Sequence, residues 1–299
     1  MAKKYILLII LVLAGSQSWS QFKTGNVYFR GNFGVNFGIA GADIGLNTKN
    51  VQNNFSQELL HGSFGNGINL GVSGGYLITD IISLEGGYQF VRGTQKKFSG
   101  YQVDTYELYS DAYLTADYFR LGGALFQKLR YLDQFLTVKF GFILPASRNL
   151  VVESNAHGSN APDDSYTTEQ TEIHTLRFNP GIYSAVGALM PVDKDLSVFA
   201  EVEFILLSGR FSSSEVTRYE WVHTHDGNSE IRELYNLSIS ERYTTYQEEI
   251  TGEDNIITNP GYDINEATVE LTQYVSMNSL TINIGIIYNL RWKDLIRKK

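Results

Sequence analysis

The chain has 299 residues, 43% of them hydrophobic, with 28 Gly, 19 Tyr and 17 Phe, and a formal charge of −8. It contains no cysteine, which excludes a disulfide, a thiolate-held metal and a lipidated N-terminal cysteine. High Gly and aromatic content with only 5 Pro favours strands and turns, and the acidic balance makes nucleic acid a poor partner.

Residues 1–20 read as a cleaved export signal. Lys3 and Lys4 precede the apolar run YILLIILVLA, and Ser18 and Ser20 place small residues before a cut at Gln21. The run is too short for a membrane-spanning helix, which needs about 20 residues. The mature part, 21–299, is expected to form a single domain.

Eight segments then alternate at the period of a β-strand, whose side chains switch face at every residue. The first is 27–39: Phe29, Phe33, Val35 and Phe37 share one face, and Tyr28, Arg30, Asn32 and Asn36 the other. The pattern returns at 68–78 (Leu70, Val72, Tyr76 against Asn69, Ser73, Gly75) and at 82–90 (Leu84, Tyr88 against Glu85, Gln89). It continues at 118–129 (Phe119, Leu121 against Arg120, Ala124) and 136–144 (Val138, Phe140 against Thr137, Lys139). The last three are 176–190, 198–206 and 280–292, where Val186, Val202 and Ile284 oppose Arg177, Glu201 with Glu203, and Asn283. Connections after the second, fourth and sixth segments are short. Those after the first, third, fifth and seventh are long and rich in Asn, Ser, Asp and Thr. An even strand number with short turns at one end and long loops at the other predicts an all-β, eight-stranded antiparallel up-and-down barrel.

Composition decides which face looks inward. The non-apolar face is mostly Gly, Ser, Asn, Ala and Thr, sizes that suit the narrow interior of eight strands. Its charges nearly balance: Arg30, Arg120, Lys139 and Arg177 stand against Glu85, Glu201 and Glu203. Buried charge is tolerated when paired, so these seven are the expected polar network of the lumen. The apolar face is almost free of charge, as a lipid-facing surface must be, because Lys or Arg at mid-bilayer costs about 2–4 kcal/mol. The barrel is therefore expected to be transmembrane.

The last segment contains NIGIIYNL, residues 283–290. Asn283 is followed two positions later by Gly285, then by Tyr288 and Leu290 three and five after that glycine. This resembles the C-terminal assembly signal of bacterial outer-membrane β-barrels, and the mature chain resembles the small OmpA/OmpX-like barrel family. The resemblance implies location in the outer membrane, insertion by the barrel-assembly machinery, periplasmic termini and four long loops outside the cell. Outer-membrane lipid is then an obligatory partner.

Three motifs invite chemistry. GVSGG, with Ser73 at its centre, matches the hydrolase G-x-S-x-G pattern, but that pattern needs a sharp strand-to-helix turn and Ser73 lies within an alternating strand. His223 and His225, beside Asp226, share a strand face and suit Zn²⁺ or Cu²⁺ if His174 or Glu220 joins them. The bland reading is a hairpin turned by Asp226-Gly227. His61 and His157 also lie in or near loops, without a recognisable catalytic constellation. No cofactor is expected.

The fourth long connection, 211–275, carries 13 acids against 3 arginines. EVTRYEWV and NLSISERYTTY are strand-like, whereas 247–267 has the acidic, Gly/Pro-punctuated composition of disordered chain. Tyr219, Trp221, Tyr235, Tyr243 and Tyr246 are the residue types that anchor interfaces, so they are the candidate contacts for another outer-membrane or extracellular protein. The expected function is non-enzymatic: membrane anchoring with recognition or assembly through the loops. A barrel enzyme acting on lipid or peptide is the alternative, and a small ion channel the third reading.

Overall fold

A computed structural model describes residues 22–39, 41–51, 54–129, 134–161 and 163–290, so the segment expected to be an export signal (1–20), most of the turn at 130–134 and the tail from 291 lie outside the described residues. In chain order the strands are β1 (Val27–Gly38), β2 (Ala42–Val51), β3 (Asn54–Gly62), β4 (Gly67–Leu77), β5 (Ile82–Gly93) and β6 (Lys96–Val103). Then come β7 (Tyr106–Lys128), β8 (Phe135–Ala161), β9 (Asp164–Leu176), β10 (Gly181–Pro191), β11 (Leu196–Leu206) and β12 (Ser208–His225). After β13 (Asn228–Glu233) and the short helix α1 (Ile239–Arg242), the chain ends through β14 (Tyr243–Gln247), β15 (Thr268–Leu271), β16 (Tyr274–Ser276) and β17 (Ser279–Leu290).

Eight of these close a ring. β1 pairs with β4, β4 with β5, β5 with β7, β7 with β8, β8 with β10, β10 with β11, β11 with β17 and β17 with β1, all antiparallel. The closing pair runs without a slip from Val27 opposite Leu290 to Gly38 opposite Ser279. Closure removes the unpaired edge that an open sheet would present to lipid. The short turns are set locally. Thr79 Oγ1 accepts from the N–H of Ile82 at 3.0 Å, and Val192 N–H donates to Leu196 O at 2.9 Å across the turn after β10.

The faces fall as the residue chemistry demands. Phe29, Leu70, Leu84, Phe119, Phe140 and Ile284 are each more than half exposed on the outside, while Tyr28, Ser83, Glu203 and Asn283 are completely buried within. A water-soluble barrel would reverse this arrangement. The molecule is an eight-stranded antiparallel transmembrane β-barrel.

The four long connections differ from simple loops, because each carries sheet beyond the ring. β7 and β8 rise as one hairpin of 23 and 27 residues, and β9 pairs with both β8 and β12. β2 and β3 form a separate hairpin, joined through β2 running parallel to β6. Together they build a β-rich head on the long-connection end. The expected strand 176–190 is corrected here: Leu176 ends β9, Phe178 is 67% exposed, and the ring strand begins only at Gly181. Pro180, which has no N–H to give a ladder, lies in the break.

Two expectations for the fourth connection also change. NLSISERYTTY contains α1, entered through Ser238, whose Oγ accepts from Glu241 N–H while Glu241 Oε2 accepts from Ser238 N–H at 2.8 Å. That Ser-x-x-Glu box stabilises a helical turn at the expense of strand. Residues 247–267 form a series of turns held by Asn255, whose Nδ2 donates to the carbonyls of Asp263, Glu266 and Ala267.

Candidate functional site

The lumen is filled in three layers. At the short-turn end Phe22 stacks on Phe126 at 4.4 Å and meets Phe135 edge-on at 5.4 Å, with Tyr28, Leu77, Leu189 and Ile287 buried around them. At the head end a second apolar cluster includes Leu114, Tyr118, Ile143, Leu150, Phe211 and Met277. Between them lies the charged layer.

In that layer Glu201 receives Arg30 at 2.6 Å and Lys139 at 3.1 Å, and Glu203 receives Arg120 at 2.6 Å. Glu85 stands 3.7 Å from Lys139 and accepts from Ser73 Oγ at 2.8 Å. Three cations thus face three carboxylates, and the layer is neutral. Aromatic rings support the guanidinium planes, with Arg30 3.5 Å over Phe199 and Arg120 3.9 Å over Tyr183. A residual space of about 10 Å³ is lined by Arg30, Glu85, Gln89 and Arg120, room for a single water; Gln89 Nε2 has no protein partner there.

Six of the seven charged residues expected in the lumen come together in this layer. Arg177 does not: it follows β9 outside the ring, donates to Tyr246 O at 2.6 Å and lies 3.8 Å from Glu248. Alternation through 176–179 mimicked a ring strand, and only the Pro180 interruption separates the two. Sequence reasoning placed the neutral members on the inward face but did not include them in the polar network. Asn69 Nδ2 donates to Asn36 Oδ1 at 2.7 Å, Thr281 Oγ1 donates to the same oxygen at 3.0 Å, and Asn283 Nδ2 donates to Glu203 at 2.9 Å. The signal for them was their place on the inward face.

The four assembly-signal residues divide by face. Asn283 and Gly285 look inward, the latter beneath the Phe199 ring, whereas Tyr288 is 48% exposed on the outer face beside the ring-closing β1. Leu290 pairs with Val27 at the end of the same strand. Ser73, mid-strand and bonded to Glu85, has no nucleophile elbow around it.

In the head, the five candidate partner-binding aromatics are not one patch. Tyr235 is 79% exposed, and Tyr219, Trp221 and Tyr243 are half-buried. Tyr246 is corrected to a core residue at 5% exposure, packed 5.3 Å from the Phe211 ring. His223 pairs with Asp164 at 2.6 Å and His225 lies 3.9 Å from the same carboxylate, but His174 sits opposite Ser214, well down β12. Glu220 is opposite Glu233. His61 is bound to Asp43 at 2.7 Å, and His157 lies opposite Glu107. Among the described residues no set of three His, Asp or Glu side chains converges as a metal centre.

His174 is instead part of a buried latch. Its Nδ1 lies 3.2 Å from Tyr246 OH and its Nε2 3.6 Å from Glu172, so the neutral ring accepts from the tyrosine and turns its own N–H toward the carboxylate. Burial holds the imidazole below its ordinary value of 6.5, with Glu172 acting the other way. The unfolded segment therefore takes up a proton first, and His174's contribution to stability, complete above pH 6.5, is lost as pH falls from there toward the folded value. Glu270, raised by burial and then by the charge of Glu172, acts with the opposite sign at lower pH. Amide protection in β14 is expected to fall on acidification from pH 7, by at most about tenfold per pH unit for one proton. His174→Phe is expected to abolish that fall in hydrogen exchange.

These features define a transmembrane β-barrel with a packed lumen and an ordered β-rich head. No family model matches the sequence, and no curated protein matches it. Among solved structures the chain is similar to the outer membrane protein OprG from Pseudomonas aeruginosa, with 9% identity, a TM-score of 0.39, and 91% of this chain and 99% of that chain covered. It is also similar to the outer membrane protein AlkL, solved in lipid bilayers, with 11% identity, a TM-score of 0.37, and 93% and 94% covered. A major outer membrane protein from Thermus thermophilus overlaps with 13% identity and a TM-score of 0.31, covering 88% of this chain and 99% of that one. These overlaps are loose, and the fold rests on the strand ring itself.

Proposed function

We propose that the protein is an integral outer-membrane barrel that acts as an anchor, presenting its β-rich head outside the cell for recognition or assembly. The observation that carries this reading is the packed lumen: among the described residues two apolar clusters flank a neutral, internally paired charged layer, whose own residual space is about that of one water. Such an interior supports the barrel without offering a path through it. The sheet beyond the ring, by contrast, exceeds what short surface loops need.

Two measurements test it. Purified protein in planar bilayers is expected to show no conductance steps, and steady single-channel openings would replace the anchor with a channel. Deleting residues 218–233 removes the tip of β12 and β13, which contain no buried residue. A partner that co-purifies with the intact protein from native membranes is expected to be lost from this variant. Equal recovery with both forms would remove the tip, with Tyr219 and Trp221, from the recognition surface.

A further inference from the structure

We propose that β3 is a docking edge for a second copy of this chain, pairing antiparallel with its own counterpart about Gln57. Among the described residues β3 pairs only with β2, which leaves its other side as an unpaired strand edge. Natural edges are usually blunted by Lys, Pro or a bulge. Between Asn54 and Gly62 this one has no Lys or Pro, the bulge of the β2–β3 pair lies on β2 at Ile44, and the edge exposes Phe55 at 64% and Leu59 at 53%.

The sequence Phe55-Ser56-Gln57-Glu58-Leu59 is self-complementary about its centre. With Gln57 opposite Gln57 of the second copy, each Phe55 faces a Leu59, and each Leu59 already stands beside Leu46 of its own β2. That makes two apolar rows, each running over three strands through Leu46, Leu59 and the second copy's Phe55 and ending on Asn50, with the aromatic–aliphatic cross-strand pair at the centre. On the opposite face each Ser56 meets a Glu58. Ser56 is the small neighbour of the exposed Lys49, so Lys49 reaches across it toward the second copy's carboxylate. Both charge rows are therefore attractive. Sliding the register to centre on Glu58 would place like charges face to face, and centring on Ser56 would set each Phe55 against a Gln57. A peptide of unrelated sequence would match only one side of this pattern; a second copy matches both.

The dyad of an antiparallel pair stands normal to the sheet. In detergent micelles nothing constrains how the second barrel is oriented, so full-length protein in mild detergent is the system to use. The native chain has no cysteine, which makes single-cysteine variants unambiguous. Gln57→Cys is expected to yield a covalent dimer under mild oxidation, while Glu230→Cys, exposed on β13, stays monomeric. A mixture of Ser56→Cys and Glu58→Cys is expected to give the heterodimer, and Ser56→Cys alone is not. Lys49→Glu should weaken association about two- to five-fold, and Lys49→Glu combined with Glu58→Lys should restore it. Gln57→Cys crosslinking no better than Glu230→Cys would overturn the proposal, as would failure of the charge swap to restore association. This gives the recognition reading one particular partner yet fails separately from it, because loss of crosslinking at β3 leaves the test at the β12 tip untouched.

Discussion

Glu201→Leu is expected to lower the stability of the folded barrel by about 3–5 kcal/mol, the cost of removing one partner from a buried ion cluster. Glu201 is 4% exposed, is ion-paired with Arg30 at 2.6 Å, and accepts from Lys139 Nζ at 3.2 Å and from Asn283 Nδ2 at 3.3 Å. Leucine fills comparable volume but leaves the layer with one uncompensated positive charge. Arg30 keeps its stacking on Phe199, which does not replace a carboxylate in a dry interior. A double variant separates charge balance from the mere presence of polar groups. Glu85→Gln with Lys139→Met removes one charge of each sign and leaves a neutral layer, in which Glu201 loses Lys139 at 3.1 Å but keeps Arg30 at 2.6 Å. Its cost is expected to be on the order of 1 kcal/mol, because well-packed replacement of a whole pair is often near neutral. Urea titrations in lipid or detergent would compare the two. If the double variant proved as unstable as Glu201→Leu, neutrality would not be what the layer is selected to keep.

Gly285→Val is expected to block closure of the ring, with loss of about 3 kcal/mol or more in any barrel that still forms. A Cβ at Gly285 would collide with the Gly31 carbonyl across the β1–β17 pair and would lie 2.6 Å from the Phe199 ring. Phe199 has nowhere to retreat, since the Arg30 guanidinium covers it at 3.5 Å. The backbone of the closing pair must therefore shift. Gly31→Ala provides the contrast, because a Cβ there meets nothing within 4 Å, and its barrel should assemble normally. The yield of inserted barrel after expression or refolding into lipid reads both. Equal yields for Gly285→Val and Gly31→Ala would mean that the Gly285 position tolerates a side chain.

The barrel was legible because its signal is repeated eight times and each repeat is physical. Arg30, Glu85, Arg120, Lys139, Glu201 and Glu203 each lie between residues that lipid accepts and they do not, so alternation alone points them inward. Arg177 obeys the same alternation and is elsewhere. A strand above the membrane alternates as well, and periodicity carries no information about depth. Tyr246 is the parallel case in the head: its residue type fits an interface, but β14 tucks it against His174 and Phe211. The capping box at Ser238 and Glu241 was readable, and the strand-like run around it obscured a turn of four residues.

By itself the sequence determined the number of ring strands, their inward and outward faces and the near-balance of lumen charge, because each follows from a two-residue period and the cost of charge in lipid. Only the tertiary structure decided which charges meet, that Phe22 and Phe126 close one end of the lumen, and that the long connections continue as sheet. Those contacts join residues far apart in the chain, such as Arg120 with Glu203 and Asn32 with Asn283. They exist only once β17 has paired with β1, since ring closure, rather than any local preference, brings the partners within reach.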